Sequence, residues 1–126
     1  MLHRRERAES FIQRELTSLL RDRVADPRVS DLTLTGVELT QDRRHARVYV
    51  ACYESEERLQ EGLEGLASAQ GLLRRELAQR LHWRFTPELE FRPDRTWQHA
   101  ERIEQLFDQI AEERDPEEDV EPDESE

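Results

Sequence analysis

The chain has 126 residues, with 30 acidic side chains against 19 basic ones, a net charge of −11 and a single cysteine. That length supports one domain with a modest core. One thiol excludes an internal disulfide, and with no run of 18 apolar residues no transmembrane helix is expected. The charge is unevenly spread. From Ala111 onward ten acidic residues face one arginine, a net of −9, which leaves only −2 for the body. The low pI therefore does not exclude nucleic acid as a partner. Every basic residue is arginine, which rules out Walker-type, Schiff-base and kinase-type lysine chemistry. The planar guanidinium still serves phosphate well. No apolar stretch follows Arg4, Arg5 and Arg7, so no signal peptide is expected, and the chain is expected in the cytoplasm.

A first helix is predicted from Arg5 to Val24, with Ala8, Phe11, Ile12, Leu16, Leu19, Leu20 and Val24 on one face. Asp26-Pro27 stops it, because proline disfavours helix in the residue before it. A strand follows over Leu32–Leu39. Its apolar residues change phase at Gly36, which points to a β-bulge. After a connection at Thr40–His45, the alternation of Ala46–Tyr53 predicts a second strand, paired as an antiparallel hairpin. From Glu56 to Leu81 apolar residues recur with helical spacing (Leu59, Leu63, Leu66, then Leu72, Leu73, Leu77, Leu81). Ala69-Gln70-Gly71 interrupts that run, and a glycine inside a helix suggests a kink. A third strand is expected near Pro87–Arg92, with Leu89 and Phe91 inward. A last helix is expected from Trp97 to Ala111, with Ala100, Ile103, Phe107 and Ile110 on its inner face. The segment 112–126 reads as a disordered acidic tail, and residues 1–111 as one domain. The whole is an α+β fold, a three-stranded sheet with helices on one face and a kinked helix pair.

Order and separation of several segments carry a resemblance: Asp26-Pro27-Arg28, the strand Ala46-Arg47-Val48-Tyr49-Val50, the kink Ala69-Gln70-Gly71, Pro87-Glu88-Leu89 with Phe91 and Asp94, and Arg102-Ile103. Over Arg5–Ile110 the chain resembles bacterial ribosome-binding factor A. The resemblance implies a type II KH-like fold, in which an Ala-x-Gly kink replaces the Gly-x-x-Gly loop of other KH domains; Ala69 and Gly71 match it. It further implies a non-enzymatic factor that binds the small ribosomal subunit and its RNA, and assists late maturation and 5′-end processing of that RNA. The family pattern has a serine where Thr96 stands and a glycine where Ala100 stands. A literal Gly-x-x-Gly does occur, at Gly62-Leu63-Glu64-Gly65. It falls inside the helix with a carboxylate that would repel phosphate, and is read as coincidental.

RNA binding calls for cations along a backbone path, and for free backbone donors where possible. The kink at Ala69, Gln70 and Gly71 is the first candidate, since a second half-helix would start there with open amides. Arg74 and Arg75 lie one turn on, and Arg80 and Arg84 continue the line. The same arginines could instead pair with Glu76 and other carboxylates. Arg4, Arg5 and Arg7 form a basic arm, and Arg43 and Arg44 lie on the hairpin connection. Arg28 is read as pairing locally. Trp83 and Trp97 are read as half-buried packing residues, with base stacking the functional alternative. Tyr49 and Tyr53 line one face of the second strand.

Catalytic readings find little support. His3, His45, His82 and His99 lack metal spacing, Cys52 falls on an aliphatic strand face as a buried thiol, and no cofactor is implied. Ribosomal proteins are a further partner class, no membrane is expected, and a monomer is. The rival reading is an acidic α+β protein-interaction module acting through the kinked helix without RNA contact.

Overall fold

The computed structural model describes residues 4–96, 106, 107 and 110. The chain divides into two compact units, Met1–Asp94 and Arg95–Glu126. The last helix expected over Trp97–Ala111 and the acidic tail lie almost wholly outside the described residues, as do Trp97, His99 and Arg102-Ile103.

In the first unit the order is α1 (Arg4–Asp22), a short 3-10 turn (Pro27–Val29), β1 (Thr33–Leu39), β2 (His45–Ala51), α2 (Glu56–Leu81) and β3 (Glu88–Pro93). α1 buries Ile12, Leu16 and Leu19, the centre of the predicted stripe. It ends at Asp22, five residues before Pro27. Asp26 instead caps the 3-10 turn, its carboxylate accepting from the Arg28 N–H at 3.0 Å.

The sheet order is β1-β2-β3. β1 and β2 pair antiparallel, and the register shifts between Leu34 and Gly36. That is the bulge expected from the phase change, and it returns Val37 and Leu39 to the face of Leu34. β3 runs parallel to β2, with Val48 opposite Phe91. Leu34, Val37, Leu39, Ala46, Val48, Val50 and Leu89 thus line one face, where both helices pack to make the core. The opposite face carries Glu38, Arg47, Tyr49, Glu90 and Arg92, with Tyr49 Oη donating to Glu38 at 3.0 Å.

α2 is capped at its start by Ser55, whose hydroxyl accepts from the Arg58 N–H, and at its end by His82 in the left-handed conformation. Between these caps it is one uninterrupted α-helix. The expected break at Ala69-Gln70-Gly71 does not open the helix: no glycine has positive φ, and Gly71 lies on the exposed side, where a missing side chain costs only helix propensity. No second helix end with free amides is created there.

The Gly62/Gly65 pair, read as coincidental, has a packing role. Both are buried on the inner face of α2, while Leu63 is only partly buried. A Cβ on Gly62 would sit 2.5 Å from the Leu32 side chain, and one on Gly65 2.9 Å from Val29 Cγ1. The two glycines let the segment before β1 press against the helix.

Both edges of the sheet are held by glutamines from the helices. Gln13 Nε2 donates to the Leu34 carbonyl of β1 at 3.0 Å, and Gln70 Nε2 donates to the Leu89 carbonyl of β3 at 2.5 Å. Glu9 also accepts from the Leu39 N–H of β1 at 2.8 Å.

Candidate nucleic-acid interface

Half of the arginines of the first unit are neutralised by neighbouring carboxylates. Arg28 grips Asp26 through both ends of its guanidinium, at 2.7 Å for Nη2 and 3.1 Å for Nε. This is the local pairing expected, and it holds the Asp26 carboxyl below the usual carboxylate range. Arg58 pairs with Asp31, Arg47 with Glu38 and Glu90, Arg92 with Glu90, and Arg23 with Glu76. Two of the site candidates belong to this group. Arg80 bridges α2 to α1 through Glu15 at 3.0 Å, and Arg5 lies 4.0 Å from Glu9.

A second set has no carboxylate within ion-pair distance among the described residues: Arg4, Arg7, Arg14, Arg43, Arg44, Arg74, Arg75 and Arg84. All but Arg14 meet at one end of the unit. Four segments converge there: the start of α1, the β1–β2 connection, the last turns of α2 and the loop into β3.

Two aromatic rings tie these segments together. Arg43, held at φ 60° in the hairpin connection, places its guanidinium 4.8 Å from the centre of the Trp83 ring. Arg44 lies 4.3 Å and Arg84 5.5 Å from the centre of the Phe85 ring. These are cation–π distances. The Glu88 N–H donates to the Arg44 carbonyl at 2.8 Å, and this fixes the connection beside the β3 loop. Around Trp83 a concavity of about 280 Å³ is lined by Arg4, Arg7, Phe11 and Arg43. Around Phe85 another, of about 490 Å³, is lined by Gly71, Arg74, Arg75, Ala78, Arg84 and Thr86. Arg74 is steadied by the bond from its Nη2 to the Thr86 carbonyl at 3.0 Å.

The three candidates of the presumed kink separate. Gly71 reaches the Phe85 concavity. Ala69 packs on the core, and Gln70 is committed to the edge of β3. Trp83 is half-buried and packed against the core, as read, yet one face of its ring meets Arg43. Tyr49 lies on the open sheet face, and Tyr53 is exposed beyond β2. Cys52 is buried and free. No group of His, Cys, Asp and Glu suited to a metal ion is present among the described residues.

Phe85 was not among the residues the sequence singled out. Its signal was available: an aromatic side chain next to Arg84 in a loop with no apolar period to absorb it.

Residues 4–107 match the family model for ribosome-binding factor A. The chain belongs to the ribosome-binding factor A family. Among curated relatives, ribosome-binding factor A of Thermomicrobium roseum is 39% identical over 89% of this chain and 87% of its own length. That of Aromatoleum aromaticum is 43% identical over 89% and 88%. The crystal structure of ribosome-binding factor A from Thermus thermophilus matches with a TM-score of 0.64 at 32% identity, covering 72% of this chain and 97% of that one. A Thermus thermophilus ribosome-binding factor A model fitted into the cryo-EM map of a 30S complex matches with a TM-score of 0.60 at 33% identity, over 72% and 96%. The α+β fold of the first unit is the fold of this family.

Proposed function

We propose that this chain binds the small ribosomal subunit through the end face built by Arg4, Arg7, Arg43, Arg44, Arg74, Arg75 and Arg84, and that those arginines contact phosphates of the subunit RNA. The observation that carries the reading is the sorting of the arginines. Among the described residues of the first unit, every arginine elsewhere but Arg14 is paired with a carboxylate; here seven are left with donors to spare. A guanidinium without a carboxylate partner presents its full fork to phosphate oxygens. The family and the 30S complex of the Thermus thermophilus relative support the choice of partner.

The work proposed is holding rather than chemistry. The face offers guanidiniums and aromatic rings, which bind and orient RNA, and we place the factor at late maturation of the subunit RNA, including processing at its 5′ end. It would act as a cytoplasmic monomer, and no helix among the described residues is long and apolar enough to cross a membrane.

The test is co-sedimentation with purified small subunits at rising salt. The full chain should pellet with subunits at low salt and be released as salt increases, because each phosphate contact displaces counterions. Joint replacement Arg43→Glu, Arg44→Glu, Arg74→Glu and Arg75→Glu should abolish pelleting while leaving the circular dichroism spectrum unchanged. Retention of the variant with the salt dependence of the wild type would refute the assignment of this face. Retention of both with no salt dependence would favour a protein-interaction module. In cells lacking the protein, the wild type and not the variant should clear precursor RNA with an unprocessed 5′ end.

A further inference from the structure

We propose that the Phe85 ring is a stacking platform for an unpaired base, so that the RNA taken by this face is a single-stranded segment. The proposal rests on the reading of the basic face above and specifies its ligand.

Phe85 leaves 50% of its surface exposed, although a benzyl group gains nothing from water. It stands in the loop between α2 and β3, in the midst of the unpaired arginines. Arg44 at 4.3 Å and Arg84 at 5.5 Å attend the ring. A guanidinium over a ring is itself a planar, stackable group. A base can take its place on the ring or stack on its outer side, while the displaced arginine turns to a phosphate.

The space beside the ring fits this use. The concavity of about 490 Å³ is of the size that takes a small ligand such as a single nucleotide. Gly71 leaves its wall open: a Cβ there would meet only Arg75 Nη1, at 4.0 Å. Arg74 and Arg75 stand at the rim to receive the phosphates on either side. A positively charged groove with an aromatic ring set in it is the construction by which proteins hold single strands. An A-form duplex would use little of it. Its bases are stacked inside the helix, and its accessible groove shows only base edges and 2′-hydroxyls.

The experiment measures binding of the full chain to two fluorescent RNAs by anisotropy: an unstructured oligoribonucleotide and a fully paired duplex of equal charge. Phe85→Ala should weaken single-strand binding about tenfold, within the range for loss of one base–aromatic stack. Phe85→Trp should restore it. The slope of affinity against salt should not change, because no phosphate contact is removed. Duplex binding should be the same for all three proteins. A thermal melt of each variant checks that the fold survives the change. If Phe85→Ala leaves single-strand affinity intact, or weakens both RNAs equally, stacking is refuted. Should Arg43→Glu with Arg44→Glu then still abolish binding to both RNAs, the basic face survives as a phosphate site alone. If that pair of changes has no effect on either RNA, the basic-face reading itself fails. Tighter binding of an acidic peptide than of the single strand would also overturn the proposal.

Discussion

Replacing Gly71 by alanine should stabilise the protein. Gly71 lies inside α2, ten residues before its end, on the exposed side and without positive φ. The space a Cβ would enter is open, with Arg75 Nη1 at 4.0 Å as its nearest neighbour. Nothing steric opposes the change, so the helix-propensity difference of about 1 kcal/mol should appear almost undiminished. Part of that gain comes from the unfolded chain, which loses freedom when glycine is replaced. In a domain of this size about 1 kcal/mol raises the melting temperature by roughly 4–8 °C. A thermal melt followed by far-ultraviolet circular dichroism, paired with urea denaturation, measures it. A lower melting temperature or a loss of helical signal in Gly71→Ala would refute the reasoning. It would mean that the glycine is needed to break or bend the helix at Ala69-Gln70-Gly71.

Gly65→Ala offers the contrasting case. The same propensity gain is set against a Cβ 2.9 Å from Val29 Cγ1 and 3.3 Å from Arg28 Cβ. Overpacking of about 1–3 kcal/mol should win, giving a lower urea midpoint; an unchanged or raised midpoint would show that the Pro27–Val29 turn gives way freely. Gln70→Ala should cost about 1–2 kcal/mol, since it strands the Leu89 carbonyl. Unaltered stability in urea would dismiss that bond as incidental. Acid should destabilise the fold. Asp26, Asp42 and Glu90 are held below their ordinary pKa by hydrogen bonds from Arg28, Thr40 and Arg92 respectively. The unfolded chain therefore binds protons first, and the stability these groups lend is complete above the ordinary carboxylate range. It is lost as pH falls below about 4. The melting temperature should drop between about pH 5 and pH 3, less steeply in Asp26→Asn, and a flat profile would contradict the assignment.

Patterned features and the local Asp26–Arg28 pair were legible in the sequence, and long-range pairings were not. α1 declared itself through its stripe from Ala8 to Leu20. The bulge at Gly36 showed in a shift of phase, because strand alternation leaves no other way to keep Leu34, Val37 and Leu39 on one face. The glycines of α2 were misread in both directions. Gly71 stood out as an interruption and interrupts nothing. Gly62 and Gly65 looked accidental, yet they are where Leu32 and Val29 press in. Helical spacing tells which side a glycine faces, but not what approaches it. The site was half legible for the same reason. Arg43, Arg44, Arg74, Arg75 and Arg84 were marked by their places on loops and after the supposed kink. That Arg80 answers Glu15, 65 residues away, is a tertiary fact with no local trace. The ring of Phe85 belongs to no period, and only the folded loop brings Arg44 to it.

The glutamines at the two margins of the sheet have a consequence for how the protein meets others. A three-stranded sheet ends in two strands whose outer polar groups could each accept a further strand. Here Gln13 occupies the Leu34 carbonyl and Gln70 the Leu89 carbonyl, while Pro93 closes β3 with a residue that has no N–H to donate. An incoming strand, whether from a second copy or from an extended peptide, would meet a helix side chain at each margin and would have to displace it to pair along the full length of the edge. The helices thus obstruct backbone recruitment at both margins, and tilt recognition toward side chains at the end where the arginines meet.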